Sequence, residues 1–299
     1  MIQKFRHVVH ITIAFFTDLF GLCKALFYQL QRQHFRREIR REVHERPLFI
    51  LANGPSLAKV LDSVKGLNNV DFCVVNLSAN TDVFWVLKPK MYVITDMSLY
   101  VNPDKKIFQQ LRENIFKIDW DIEFYLPFHY PDWAIKWFTA NSHITVYRYT
   151  TETWSPENDM FKNFRLWLYK QELLAPACTN VLIAAIYVSL LRGYKRIYLF
   201  GADHSWLKDI RINDNNQVVV QDAHYYGTVE HVWLDYQGNP ISITDLLESN
   251  LSTFRNHHNL RAFADYLGDV KIINCTEGSY IDAYERGKLE DIINGDSTN

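Results

Sequence analysis

Side chains that could move a proton follow a strongly apolar run in the second half of the chain. The run RIYLFG leads through an alanine into Asp203 and His204. An imidazole takes up and releases a proton near neutral pH, and an adjacent carboxylate can orient the ring or take the proton itself. His224 lies further on in the stretch HYYG, and His231 follows it. We therefore treat Asp203, His204 and His224 as candidate catalytic residues, with His231 as a further candidate base.

A second group of polar residues follows the first apolar run of the chain, LFILA. Gly54 allows a sharp turn and a close approach between the backbone and a ligand. Pro55 suits the first position of a helix, and Ser56 can cap that helix, whose N-terminal amides would attract an anion. Asn53 remains, and its amide offers both a donor and an acceptor to a ligand. The stretch matches neither GxGxxG nor GxxxxGKS/T, so it predicts neither a dinucleotide fold nor a P-loop.

Small polar residues also end the other apolar runs. A single residue of this kind is more often a cap or a turn residue, but five runs that end in this way are hard to explain by capping alone. In parallel sheets, ligands bind beyond the carboxyl ends of the strands. The candidate site therefore includes Asn76, Asp96, Gly201, Ser205 and Asn274 in addition to the residues named above.

The apolar runs alternate with helix-compatible stretches from Pro47 onward. This alternation predicts an α/β fold with a doubly wound, mostly parallel, Rossmann-like sheet and helices on both faces. The aromatic region 129–172 is predicted to be irregular. Its tryptophans would either pack in the core and lid or stack on a sugar. His257 and His258 are expected on a helix surface. The predicted strands are 48–52, 71–77, 90–96, 123–128, 196–201 and 270–276; the predicted helices are 104–117, a helix from Thr179–Asn180 to Arg192–Gly193, and 254–267.

Composition excludes several classes of protein. The chain has 299 residues, of which 48% are hydrophobic and 22% charged, so it is globular and not disordered. Its net charge of -2 gives no reason to expect nucleic acid as a partner. The four cysteines are scattered singly, which argues against a zinc site and a disulfide framework and favours a reducing compartment such as the cytoplasm.

Residues 1–46 differ from the rest of the chain, because they carry nine Lys and Arg against four Asp and Glu. Residues 8–30 are strongly apolar but are interrupted by His10, Asp18 and Lys24, and residues 32–46 are rich in Arg. This pattern favours an amphipathic helix that lies in the plane of an anionic membrane surface. The alternative is a helix that packs on the protein's own core or on a partner subunit of a homo-oligomer. We expect a chain that starts near Pro47 to fold without this segment.

Three short motifs in order resemble a known family. NGPSL after the first strand, GYKRIYLFGAD, and HYYG are similar to motifs of the bacterial sialyltransferases of the Campylobacter type, glycosyltransferase family 42, and of the related MptE-like domains. The resemblance covers about residues 47–285 in islands, with an unmatched middle. It implies a GT-A-variant-like catalytic domain at 47–290, with lid insertions at about 129–172 and 205–250. It further implies a CMP-sugar donor. No DxD-like metal motif stands at a suitable strand end, so we expect no metal or other cofactor.

The resemblance also implies roles for individual residues. Asn53, Gly54 and Ser56 match first-loop contacts to phosphate and ribose, and Asn76 matches an Asn of the second strand. Asp96 stands where the sialyltransferases carry Asn, so one contact is altered. The remaining matches are Thr179 and Asn180, near the family's cytidine-holding turn although its Gly is absent, and Asn274 and Ser279 in the polar turn after the last strand.

The chain departs from the family at the catalytic positions. The family's general base is a His where this chain has Thr228, and a family Tyr that contacts the leaving phosphate falls at Ser205. Hydroxyl groups for the phosphate could instead come from Tyr225 or Tyr226. His224 is our first choice for the base and His204 is the second.

The resemblance implies transfer of sialic acid or a related acidic sugar. The acceptor would be a hydroxyl of a surface glycan, such as lipopolysaccharide or capsule, or of a lipid-linked molecule, at the inner face of a bacterial cytoplasmic membrane. Two alternatives remain open: an MptE-like pyrophosphokinase that uses ATP and Mg²⁺, and a non-catalytic nucleotide-sugar-binding subunit.

Overall fold

The computed structural model describes residues 2–31, 39–156, 159–224, 227–234 and 238–295. The strands are β1 (Leu48–Leu51), β2 (Asp71–Val75), β3 (Met91–Val93), β4 (Ile122–Pro127), β5 (Ile144–Tyr149), β6 (Arg196–Phe200), β7 (Ile210–Ile212), β8 (Val218–His224), β9 (Gly227–Val232), β10 (Lys271–Asn274) and β11 (Glu285–Arg286). The helices are α1 (Ile2–Gln31), α2 (Leu61–Val64), α3 (Asp82–Leu87), α4 (Ser98–Val101), α5 (Lys106–Phe116), α6 (Asp132–Thr139), α7 (Lys162–Lys170), α8 (Val181–Arg192), α9 (Ile243–Leu267) and α10 (Leu289–Gly295).

Eight strands form one parallel sheet in the order β11-β10-β6-β1-β2-β3-β4-β5. From β1 the chain adds β2 to β5 on one side, and it then returns to place β6, β10 and β11 on the other. The strand order therefore reverses between β1 and β6, which is where doubly wound sheets bind ligands. The predicted doubly wound, mostly parallel fold is confirmed.

Helices cover both faces of this sheet, and β1 shows why its residues are all apolar. Leu48 and Ile50 belong to the hydrophobic cluster on one face, whereas Phe49 and Leu51 belong to the cluster on the other. Successive side chains of a strand point to opposite faces, so a strand buried on both faces has no polar positions. The four residues are at most 2% exposed.

Helix α8 lies against the centre of the sheet, and local signals define both of its ends. The Asn180 side chain accepts a hydrogen bond from the backbone N–H of Leu182 at 2.8 Å, which caps the first turn. Gly193 ends the helix with a φ of 106°, a conformation that suits glycine. The predicted start and stop are therefore confirmed, and the start of the helix faces the carboxyl ends of the strands.

The region 129–172 is not irregular, so that prediction is wrong. It contains α6, β5 and α7, and β5 pairs with β4 along six residues to form one edge of the main sheet. Its sequence ITVYRY includes a threonine and an arginine and so does not form a continuous apolar run. Beyond β6, strands β7, β8 and β9 form a separate antiparallel sheet within the second predicted lid.

The N-terminal segment contacts the sheet domain. In α1, Leu22 and Ala25 are buried, and Trp154 donates a hydrogen bond from Nε1 to the Asp18 carbonyl at 2.9 Å. Residues 11–30 of the same helix are long and apolar enough, by length and composition, to cross a membrane. One side of α1 therefore packs on the protein, while Phe16 and Phe20 on another side are 63% and 72% exposed.

Candidate functional site

A cavity of about 340 Å³ lies where the strand order reverses. The loops after β1, β2, β3 and β6 line it, together with the start of α8. This volume falls in the range of small-molecule sites. Its lining comprises Ala52, Asn53, Gly54, Pro55, Asn76, Thr95, Asp96, Thr179, Asn180, Val181, Leu182, Gly201, Asp203, His204, Ser205, Trp206, Asp209 and Trp233.

Asn53 lies at the first turn after β1 and faces the cavity. Its Oδ1 atom is buried and has no hydrogen-bond partner among the described residues. An unpaired buried acceptor costs on the order of 1–3 kcal/mol of stability. This cost marks Asn53 as a group whose partner would be a ligand donor or a bound water.

The loop around Gly54 differs from the sequence expectation. Ser56 donates a hydrogen bond from Oγ to Oδ2 of Asp203 at 2.7 Å, and its backbone N–H donates to Oδ1 of the same carboxylate at 3.3 Å. The helix expected here is a 3₁₀ helix, Pro55–Lys59. The carboxylate of Asp203 occupies its start, which Ser56 was expected to offer to a ligand anion. Gly54 has a φ of −65°, and it is close to Asp203 and Gly201 because a Cβ there would lie 2.0 Å and 2.4 Å from their oxygens.

Asn76 and Asp96 follow β2 and β3 and face the same cavity. Asn76 has a φ of 46°, a conformation that asparagine tolerates better than most residues. Its Oδ1 accepts a hydrogen bond from the Thr95 N–H at 3.1 Å, which leaves the Nδ2 hydrogens without a described protein partner. One carboxylate oxygen of Asp96 accepts from the Ser98 N–H at 2.8 Å. Both side chains are thus held by backbone groups and are available to a ligand on one side.

The start of α8 forms another wall. Thr179 shares a hydrogen bond of 2.7 Å between its hydroxyl and that of Thr253 on α9. Oδ1 of Asn180 caps the helix, so its Nδ2 remains available to a ligand. The N-terminus of a 12-residue helix carries a partial positive charge, which favours one negative charge on a ligand at this wall.

His204 lies in the turn after β6 with a φ of 49°, and it is only 5% exposed. Its ring contacts Trp206, with ring centroids 4.4 Å apart, and its Nε2 atom lies 3.1 Å from Nε2 of His257. Burial, and then the neighbouring His257, holds the pKa of His204 well below the usual value. Burial likewise lowers the pKa of His257 to about 3. Both rings are therefore neutral near pH 7.

The surface position predicted for His257 is wrong, because His257 is fully buried between His204 and Tyr284. His258 does lie on the surface, where it pairs with Asp282 at 3.0 Å. Adjacent residues on a helix point about 100° apart, so one of the two faces the protein when the other faces solvent.

Several predicted site residues lie away from the cavity. Asn274 donates from Nδ2 to the Ser279 hydroxyl at 2.9 Å, and that hydroxyl donates to the Ala202 carbonyl at 2.5 Å. These two residues support the loop after β6 from behind. Ser56 also lies outside the lining and holds Asp203. Tyr225 and Tyr226 lie outside the described residues, as does the side chain of His224, whose backbone ends β8.

Sequence reasoning missed Trp233 and Asp209 in the lining, and it missed Asn250. Trp233 follows the antiparallel strands, whose order in space the sequence does not reveal. Asn250, on α9, lines a side pocket of about 80 Å³ that shares Trp206 and Trp233 with the cavity, and its buried Nδ2 has no described partner. The tryptophans of region 129–172, for which packing and sugar stacking were both left open, do not line the cavity; they are Trp133, Trp137, Trp154 and Trp167.

The charge of the lining limits what the cavity can bind. It contains the carboxylates of Asp96, Asp203 and Asp209, and no Lys or Arg among the residues that the structure describes. Within those same residues, no group of three or more His, Cys, Asp or Glu is arranged to hold a metal ion. The arrangement suits a polar ligand of low negative charge that is bound by amides, hydroxyls and aromatic faces.

No protein-family model matches the chain, and no curated protein sequence matches it. Among solved structures, the chain is similar to the sialyltransferase CstII from Campylobacter jejuni, which was determined in complex with a substrate analogue, cytidine-5'-monophosphate. The identity is 14%, the TM-score is 0.42, and the match covers 82% of this chain and 86% of that chain.

Proposed function

We propose that the chain is a glycosyltransferase that moves a sugar from a CMP-activated donor to a hydroxyl group of a glycan or lipid-linked acceptor. The sugar would be sialic acid or a related acidic sugar. The cavity at the reversal of strand order carries this proposal, because amide groups after β1 and β2 and at the start of α8 converge on it. The choice of CMP as the nucleotide rests on the motifs NGPSL, GYKRIYLFGAD and HYYG, which resemble those of the sialyltransferases.

The charge of the cavity favours this donor over a nucleoside triphosphate. A CMP-sugar carries one phosphodiester charge, and an acidic sugar adds one carboxylate. ATP carries several charges, which proteins commonly neutralise with Lys, Arg and Mg²⁺. The described lining offers three carboxylates and no Lys or Arg, so binding ATP there without Mg²⁺ would be electrostatically unfavourable. The partial positive charge at the start of α8 favours a single phosphodiester at that wall of the cavity.

In the reaction, the acceptor hydroxyl attacks the anomeric carbon of the sugar. The bond between that carbon and the phosphate oxygen breaks, and CMP leaves with the electron pair. The proton of the hydroxyl passes to a base, for which His224 remains our first choice. Asn53, Asn76 and Asn180 would hold the nucleotide. Trp206 and Trp233 offer aromatic faces to the cytosine ring or to a sugar ring.

A peripheral position at the inner face of the cytoplasmic membrane belongs to the same proposal. The support is the apolar side of α1 that no described residue covers, followed in sequence by the Arg-rich stretch 32–46. A helix of this kind can lie at the headgroup boundary of an anionic bilayer. A lipid-linked acceptor would then lie in the same membrane surface to which the protein binds.

The test is a thermal-shift screen with CMP, CDP, UDP, GDP and ATP, each with and without Mg²⁺. We expect CMP to raise the melting temperature without metal. Asn53→Ala should weaken CMP binding by about fivefold, since a lost hydrogen bond typically costs about 1 kcal/mol. Asn68→Ala, in an exposed loop at the opposite end of β2, is the matched control and should bind CMP like the wild type. Stabilisation by ATP with Mg²⁺ but not by CMP would show that the proposal is wrong.

A further inference from the structure

Three buried side chains form a continuous line that ends at the cavity. The Tyr284 hydroxyl lies 3.1 Å from Nδ1 of His257, and Nε2 of His257 lies 3.1 Å from Nε2 of His204. His257 is fully buried, and Tyr284 and His204 are 4% and 5% exposed. Among the three, only His204 lines the cavity.

The direction of these hydrogen bonds follows from the partners that each group has. Burial raises the pKa of Tyr284 well above its usual value, so its hydroxyl keeps its hydrogen. Among the described residues, His257 is the sole hydrogen-bond partner of that hydroxyl. The hydroxyl must therefore donate to Nδ1 of His257, because the reverse direction would leave a buried O–H without an acceptor.

This direction fixes the tautomers of both rings. A neutral imidazole carries one hydrogen, so a His257 ring that accepts at Nδ1 carries its hydrogen on Nε2. That N–H donates to Nε2 of His204. The neutral ring of His204 then carries its own hydrogen on Nδ1, the nitrogen that has no described protein partner.

We infer that Tyr284 and His257 hold His204 as its Nδ1–H tautomer, so that His204 offers the ligand a neutral hydrogen-bond donor and is not the general base. The Nδ1–H of His204 would donate its hydrogen bond to a phosphate or carboxylate oxygen of the CMP-sugar. This assignment rests on the proposed function. His257 and Tyr284 are positioning residues, since they act through His204. The base is then left to another group, such as His224.

The groups around Tyr284, His257 and His204 suit a neutral hydrogen-bond donor at His204. Trp206 and Phe254 pack against the ring of His204. The charged groups that act on the other two members are His258 and Asp282 near His257, and Arg261 near Tyr284. Asp203 and Asp209 face the cavity beside His204. A protonated His204 would carry a hydrogen on Nε2 that faces the Nε2–H of His257, so a buried charge would form and this hydrogen bond would be lost.

The decisive measurement is nitrogen NMR of the protein labelled with ¹⁵N-histidine, without ligand, between pH 5.5 and 8. We expect a hydrogen on Nδ1 of His204 and on Nε2 of His257, with no titration of either ring. Tyr284→Phe should mix the tautomers of both rings, whereas Tyr266→Phe, on the exposed side of α9, should not. A hydrogen on Nε2 of His204, or protonation of its ring within this range, would overturn the inference.

Binding of CMP then tests the donor role. His204→Asn keeps an N–H near the Nδ1 position and tolerates the positive φ, so CMP affinity should stay within about threefold of the wild type. His204→Leu should weaken CMP binding by about tenfold through the loss of one hydrogen bond. Equal binding by all three proteins would refute contact between His204 and CMP. If the wild type itself fails to bind CMP, the proposed function fails, while the NMR measurement still decides the tautomer.

Discussion

At the scale of single residues, Asp203 joins the two loops that meet at the reversal of strand order. Its carboxylate accepts two hydrogen bonds from Ser56, and its carbonyl accepts one from the Tyr280 N–H at 2.9 Å. A carboxylate engaged in this way positions the loop after β1, and with it Asn53. The catalytic role expected for Asp203 stays a prediction, and its contacts give it a positioning role in addition.

Gly54 provides a test of this loop geometry. Gly54→Ala would place a Cβ 2.0 Å from Oδ2 of Asp203, so the two loops must separate. We expect the free energy of unfolding to fall by about 1–3 kcal/mol and CMP binding to weaken, measured by urea denaturation and by titration. Gly66→Ala is the control, because a Cβ there meets nothing within 4 Å. Equal stability of the two variants would mean that the loops are not in close contact.

The residue scale also shows where sequence reasoning reaches its limit. Asn53, Asn76 and Asp203 could be found because each follows an apolar run, and parallel strands bring their ends together. His257 could not be found, because its role depends on which side of a long helix meets the loop after β6. Asn250 was missed for the same reason. Local sequence does not encode such contacts between distant segments.

At the scale of elements, the strands buried on both faces could be predicted from sequence, and the edge strand β5 could not. Apolar runs mark β1, β2 and β6, whereas β5 contains a threonine and an arginine and is only partly buried along most of its length. The start of α9 was also placed too late. Its first turns expose Leu247 and Leu251, which hides the helical pattern, although Ser242 and Asp245 form a capping box at its start.

Helix α1 combines two surfaces with different partners. Leu22 and Ala25 pack on the domain, while Phe16 and Phe20 project from it together with the more distant Phe27, which is 55% exposed. Exposed aromatic residues on one side of a helix, followed in sequence by a basic stretch, favour an anionic membrane surface over water.

Vesicle binding tests the prediction that the exposed side of α1 binds an anionic membrane. In the double variant Phe16→Ser and Phe20→Ser, we expect co-sedimentation with vesicles of anionic lipid to weaken at least about tenfold, since each buried Phe contributes about 1.5–3 kcal/mol. Binding of the wild type should decrease with salt. Phe116→Ser, an exposed position on α5, is the control. Unchanged binding of the double variant would indicate that α1 packs only on protein.

At the scale of the whole molecule, the cavity gathers residues from the first strands, from the start of α8 and from the loop after β6. The crossover of the chain between β5 and β6 makes this possible, because it returns the chain to the other side of β1. The segment before β1 is tied to the end of α8. Arg192, which is 4% exposed, pairs with Glu123 at 2.5 Å and with Glu42 at 2.7 Å.

Residues 39–46 thus pack on the domain that was predicted to start at Pro47. Ile39 is 1% exposed, and its N–H donates to the Glu172 carboxylate at 3.2 Å. The His44 ring stacks on Tyr194 with a centroid distance of 3.8 Å. The contacts of Glu42 and His44 lie at the C-terminal end of α8, opposite the end that faces the cavity.

Two truncations locate the boundary of the folded domain. A chain that begins at Ile39 keeps the buried Ile39 side chain and the pair between Glu42 and Arg192, whereas a chain that begins at Pro47 loses both. We expect the shorter chain to be less stable by at least about 3 kcal/mol in urea denaturation, because a buried aliphatic side chain and one partner of a buried cation are removed. The single variants Ile39→Ala and Glu42→Gln in the full chain should each show part of this loss. If both truncated chains unfold at the same urea concentration, the domain begins at Pro47, and the segment before it serves the membrane alone.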